Sequence, residues 1–165
     1  MNKNILSIIL LVSITSLAVA YIAEYVFGYK PCILCLYERV VYMLTIILSL
    51  LSLMSKRSFL PVIFMVFIGS SILSFYHVGI EQHIFEETSR CKDELPAPTS
   101  IEQLRSQLET SRPSCASPEI TFLSISFAGW NLILSIFMSI ISFKGLRKCL
   151  RKNSQDYQEM LQENI

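Results

Sequence analysis

Three stretches of this chain run without a charged residue, 5–23, 59–76 and 120–143, for 19, 18 and 24 residues. A helix rises about 1.5 Å per residue and a bilayer's hydrocarbon core is about 30 Å thick, so about 20 such residues cross it. Backbone in lipid must satisfy its own hydrogen bonds, which favours a helix for each run. A fourth uncharged run, 40–55, has only 16 residues. It reaches across only if its helix begins near Leu34, which draws Cys35, Glu38 and Arg39 into the first turns, at or just below one membrane surface. An ionisable group at that depth is costly and points to function. The 40–55 run also places Arg39 one turn deeper than Cys35 on the same helix face, with Glu38 directed elsewhere.

The fold class expected is an all-α membrane protein: a four-transmembrane-helix bundle with spans at about 5–25, 34–55, 59–79 and 120–143. Hydrophobic residues make up 52% of the chain, charged residues 16%, and the net charge is +1. That balance excludes disorder and argues against nucleic acid as a partner. Four spans put both termini on one side. Lys3, Lys56, Arg57, Lys144, Arg147, Lys148, Arg151 and Lys152 lie there, against six basic residues opposite. Five of the eight follow the last span directly within 144–152, which assigns that side to the cytoplasm. The loops 26–33 and 80–119 are then periplasmic, and 144–165 is a cytoplasmic basic and polar tail, with 153–165 expected to fray. Lys3, the first apolar run and Ala18-Val19-Ala20 also suit a cleavable signal peptide. The run continues through Tyr21, Ile22 and Ala23, which favours a retained span.

On this topology four of the five cysteines face the oxidising side: Cys32 and Cys35 in Cys-Ile-Leu-Cys, and Cys91 and Cys115 in the long loop. Cys149 faces the reducing side. No zinc-ribbon spacing is present, and no metal is expected. Pro31 suits the entry to a helix, so Cys35 falls in a first turn, where free N–H groups and the helix dipole stabilise a thiolate. A thiolate above the Arg39 guanidinium suits an apolar oxidant whose carbonyl gathers negative charge. The plainer alternative is a structural disulfide with Arg39 snorkelling to headgroups. A bridge between Cys91 and Cys115 would contribute about 3.5 kcal/mol through loop entropy alone, so simple stapling is also open.

Between Cys91 and Cys115, Thr99–Glu102 fits a capping box, and Ile101, Leu104 and Leu108 recur on one face. The long loop is therefore expected to carry a short surface helix, lying on the membrane or packing on the bundle's outer end. His77 and His83 sit at the outer end of the third span, where either could donate to a carbonyl or relay a proton, or serve structure alone. Trp130 is expected to pack inside the fourth span or wall an apolar pocket, and Glu24 to lie at an interface.

Pro31-Cys32-Ile33-Leu34-Cys35-Leu36-Tyr37-Glu38-Arg39 closely resembles the P-C-x-L-C-x-Y-E-R motif of the disulfide bond formation protein B (DsbB) family, bacterial inner-membrane thiol oxidases. Tyr76-His77-Val78-Gly79-Ile80-Glu81 resembles the family's segment at the end of the third span. Cys115, Pro118, Phe122-Leu123, Ser126, Ala128 and Trp130-Asn131 resemble the segment entering the fourth. Two positions depart from the pattern: Ile120, where an aromatic is frequent, and Ser124, where Gly is frequent. The resemblance implies that Cys91 and Cys115 reoxidise a periplasmic DsbA-type dithiol protein, Cys91 forming the mixed disulfide. It implies that Cys32 and Cys35 take the electrons onward. Cys35 would be the thiolate meeting ubiquinone or menaquinone, with Arg39 near a quinone carbonyl and His77 and His83 as further candidates beside it. A non-catalytic four-helix membrane protein with two structural disulfides is the alternative.

Overall fold

The computed structural model describes residues 3–55, 58–88, 91, 100–103, 105, 113–117 and 121–163. Four long helices dominate: α1 (Lys3–Tyr25), α2 (Ile33–Met54), α3 (Leu60–Glu81) and α4 (Phe127–Glu163). Each contains a stretch long and apolar enough to cross a membrane, that of α4 being Phe127–Arg151. The chain is thus a four-span membrane protein. Its helices pair chiefly as α1 with α2 and α3 with α4, and α2 also packs on α3.

Many of the residues buried between helices are small. Ser13, Thr45, Ser49, Ser52, Ser70, Ser74, Ser135 and Ser142 are all buried, while Leu11, Met65, Ile72 and Phe75 are exposed. Lipid is as apolar as leucine, so helices in a bilayer associate through close packing of small residues and polar bridges rather than by hiding large side chains. Ser70 and Ser135 form one such bridge, 2.9 Å apart, between α3 and α4. A smaller apolar cluster of Leu6, Ile9, Tyr42, Leu60, Ile63, Phe67 and Met138 fills the centre. Gly145 lets α4 approach closely: a Cβ there would lie 3.0 Å from Leu60 Cδ2 and 3.1 Å from Ile5 Cδ1.

Helix ends follow from local chemistry. Past α1 the chain reverses at Gly28, whose φ of +75° L side chains rarely adopt; its N–H returns to Glu24 O at 3.1 Å. Pro31 precedes α2, and Cys32 is its N-cap, its Sγ accepting from Cys35 N–H at 3.3 Å. The start at Ile33 agrees with the span inferred from the short uncharged run. Pro61 lies in the first turn of α3, where its missing N–H is harmless.

Two boundaries differ from expectation. The uncharged run 120–143 does not begin as helix. Thr121–Phe122 (β1) pairs antiparallel with Ile125–Ser126 (β2), and α4 starts only at Phe127. The hairpin turns through Leu123 (φ 54°) and Ser124 (φ 63°), both left-handed as a tight two-residue turn requires. Hydropathy does not register such a turn, because neither residue is charged. The tail expected to fray is helical to Glu163. Its Lys, Gln, Glu, Leu and Met are good helix formers, with no Gly or Pro beyond Gly145. Of the predicted surface helix, Ile101–Gln103 is helical, capped by Ser100 Oγ accepting from Gln103 N–H at 3.2 Å. Thr99, Leu104 and Leu108 lie outside the described residues.

Candidate functional site: two cysteine pairs beneath one cavity

The N-terminal end of α2, the C-terminal halves of α1 and α3, and the start of α4 surround a cavity of about 360 Å³. This lies within the usual range of small-molecule sites, about 300–1,000 Å³. Cys32, Cys35, Glu38, Arg39 and His77 line it, as do Cys115 and Trp130. Apolar wall is supplied by Val19, Ala20, Ala23, Phe127 and Leu134.

Cys32 and Cys35 are unbridged, their sulfurs 2.8 Å apart in a hydrogen bond. Cys32 receives two donors, the Cys35 thiol and Cys35 N–H, and His77 Nε2 lies 3.4 Å from its sulfur. These contacts hold Cys32 far below the usual thiol range, at about 4. The Cys35 hydrogen bond contributes most and His77 adds to it, against burial, which opposes ionisation. The two sulfurs and the His77 ring lie within 4.8 Å of one another, a constellation that could hold a metal ion.

Behind the cysteines runs a buried polar chain. His77 Nδ1 is 3.4 Å from Glu38 Oε1, and Ser74 Oγ donates to the same oxygen at 3.0 Å. Asn131 Nδ2 donates to Ser74 Oγ at 2.8 Å, and Tyr42 donates to Asn131 Oδ1. Glu81 Oε1 stands 3.9 Å from His77 Nε2. Glu38, expected to point away from the Cys35 face, is turned inward and buried. It lies three positions after Cys35, a step that gives neighbours on a helix surface just as four does.

Arg39 is placed as expected, on the cavity one turn beyond Cys35. It is also more tightly held than a snorkelling side chain would be: Nη1 pairs with Glu24, Nη2 donates to Ala20 O at 3.2 Å, and the guanidinium lies 5.1 Å from the Tyr21 ring centroid. Glu24, expected at an interface, is thus the counter-ion of Arg39. Trp130 lines the cavity and donates from Nε1 to Phe122 O at 3.1 Å, tying α4 to the hairpin. Of the two histidines only His77 reaches the site. His83 lies beyond the end of α3, exposed, with φ 56°, and is not part of the cavity wall.

Cys91 and Cys115 are joined as a disulfide, Cα–Cα 5.5 Å. Both are buried, and they pack with Cys32, Leu34 and Ile80 in one cluster. The two pairs, remote in sequence, therefore share one buried nest. Cys149 lies on α4 among the basic residues Lys144, Arg147, Lys148 and Arg151.

Two known relationships accompany this geometry. The family model of Disulfide bond formation protein DsbB matches residues 2–144. A Rickettsia prowazekii (strain Madrid E) protein described as Uncharacterized protein RP370 is 38% identical over 151 residues, covering 87% of this chain and 86% of its own.

Proposed function

The chain belongs to the DsbB family, and on that premise we propose that it is an inner-membrane thiol:quinone oxidoreductase that reoxidises a periplasmic dithiol protein of the DsbA type. The carrying observation is the packing of Cys115 with Cys32 in one buried cluster under an apolar cavity. Thiol–disulfide exchange needs the two pairs to meet, and their membership of one buried cluster supports that reading.

The electrons enter when a thiolate of the soluble partner attacks Cys91. The partner–Cys91 bond forms, Cys115 leaves as thiolate, and the partner's second thiolate then releases Cys91. The outer pair is now a dithiol. With the inner pair as a disulfide, Cys115 attacks Cys32, and the Cys32–Cys35 bond breaks onto Cys35. Cys91 next attacks Cys115, restoring the outer disulfide and releasing Cys32. Two electrons have moved inward, and the two outer thiol protons are matched by those of the inner dithiol. While Cys32 is bonded to Cys115, Cys35 bears the thiolate, in the first turn of α2 and on the cavity wall. Once Cys32 is free, the Cys35 thiol and His77 hold its charge.

Residues on the cavity suit a quinone, which when bound supplies a two-electron, two-proton sink. Val19, Ala23 and Leu134 give an apolar bed, and Trp130 a flat wall. Arg39, steadied by Glu24, would offer a charge-assisted donor to a ring carbonyl. His77, between Cys32 and Glu38, can carry a thiol proton from one to the other. The acceptor would be ubiquinone or menaquinone. The test is purified protein with a reduced DsbA-type protein and a soluble quinone analogue, followed by quinone absorbance. Thiol-dependent quinone reduction is expected, and its absence would refute the assignment.

A further inference from the structure

The outer disulfide presents a difficulty for its own reaction. Cys91 and Cys115 are 4% and 1% exposed, so no soluble protein reaches either sulfur in this arrangement. Among the described residues, a two-residue segment after α3 grips both halves of the pair. Glu87 Oε1 accepts from the Ser114 hydroxyl and from Ala116 N–H at 2.7 Å, gripping the chain on both sides of Cys115. Thr88 secures the other half: Cys91 N–H donates to Thr88 O at 2.8 Å, and Thr88 Oγ1 lies 3.7 Å from Cys91 Sγ.

The segment is itself anchored. Ile84 and Phe85 N–H groups return to Gly79 O at 2.8 and 3.2 Å. The Phe85 ring stacks on Tyr76 with centroids 5.7 Å apart and covers Gly79 so closely that a Cβ there would clash with it. Glu87 is half-buried, whereas its neighbour Glu86 is exposed, as expected if Glu87 alone turns inward.

From this geometry we infer that Glu87 is a positioning residue: its carboxylate seats Cys115 against Cys32 for exchange between the two pairs, and its release opens Cys91–Cys115 to the soluble partner. Glu87 touches no reacting sulfur. It acts through the backbone and hydroxyl on either side of Cys115. This rests on the proposed function for its role in transfer, but the grip itself can be tested apart from quinone.

The full chain in detergent is compared as wild type, Glu87→Ala and Glu87→Gln, with helix content checked by circular dichroism. In one arm, reduced glutathione is added to the Cys91–Cys115 disulfide and thiols are mapped by alkylation and mass spectrometry. In the other, fully reduced chain receives a soluble quinone analogue, and the delay between oxidation of Cys32–Cys35 and of Cys91–Cys115 gives the internal transfer rate. Losing even one charge-assisted hydrogen bond is worth about tenfold. Glu87→Ala is therefore expected to speed external reduction about tenfold or more and to slow internal transfer by a similar factor. Glu87→Gln, which keeps a neutral acceptor, falls between and serves if the alanine variant fails to fold. A merely structural contact would not move the two rates in opposite directions. Unchanged glutathione reduction, or unchanged internal transfer, overturns the inference. If quinone never oxidises Cys32–Cys35, the functional proposal fails instead, and the glutathione arm still judges the grip.

Discussion

His77→Asn should make Cys32 harder to ionise while leaving it an acidic thiol. Asparagine keeps a donor where His77 Nδ1 meets Glu38 but cannot reach Cys32, which in the native protein lies 3.4 Å from Nε2. Cys32 starts at about 4. Losing one hydrogen bond to a charged group costs about 1.5–3 kcal/mol, and about 1.4 kcal/mol is one pKa unit, so its value should rise to about 5–6. The thiolate is the reactive form, and protonation on the acid side removes it. At pH 5 the native Cys32 is about nine-tenths ionised, and the variant about half to one-tenth. Alkylation of Cys32 by iodoacetamide at pH 5 should then fall about two- to tenfold, with no difference at pH 8. The assay is the rate of Cys32 modification in reduced protein between pH 4 and 8, read by peptide mapping. A native profile that already falls away below pH 8, or two superimposable profiles, would refute the placing of the charge on Cys32.

Arg39→Lys keeps the charge but loses the planar fork that spans Glu24 and Ala20 O. The apparent KM for a quinone analogue should rise about ten- to a hundredfold while disulfides and insertion are retained; unchanged kinetics would remove Arg39 from the cavity's function. Maleimide applied outside spheroplasts should label reduced Cys91 and Cys115 but not Cys149, and external labelling of Cys149 would invert the topology. Gly79→Ala must displace the Phe85 ring, which should cost about 1–3 kcal/mol in detergent unfolding and speed reduction of Cys91–Cys115. Unaltered stability would mean that the turn after α3 repacks freely.

Much of the bundle is written in gaps between charges. The short run 40–55 even fixed where α2 starts, because only a start before Cys35 lets it cross. The facing of Arg39 and Cys35 followed from a four-residue step. Periodicity alone could not supply what lies across from them. Ser74, His77 and Glu81 form a stripe at i, i+3 and i+7 on α3, but that the stripe faces Glu38 and Cys32 depends on how α3 packs on α2. The Glu24–Arg39 pair likewise needs α1 beside α2. His83 looks equivalent to His77 in sequence, yet α3 ends at Glu81 and the reversal turns His83 outward. The hairpin before α4 was hidden because Leu123-Ser124 lacks the Asn-Gly chemistry that announces such a turn. Leu123 and Ser124 hold it with side chains that ordinarily avoid positive φ, and glycine at 124 would relieve one of them.

The unbroken length of α4 makes it a gauge of the membrane around it. Lys144, Arg147, Lys148 and Arg151 fall at i, i+3, i+4 and i+7 and are exposed, so they form one basic stripe along the helix. Each can hold an anionic headgroup with about 1 kcal/mol. From Phe127, at the cavity's rim, to Lys144 the helix rises about 26 Å, close to the thickness of a hydrocarbon core. A stripe moored to the lipid on one face therefore sets the depth of Trp130 and the cavity mouth near the other. Thicker or thinner bilayers would therefore bury the Trp130 end of α4 more or less deeply.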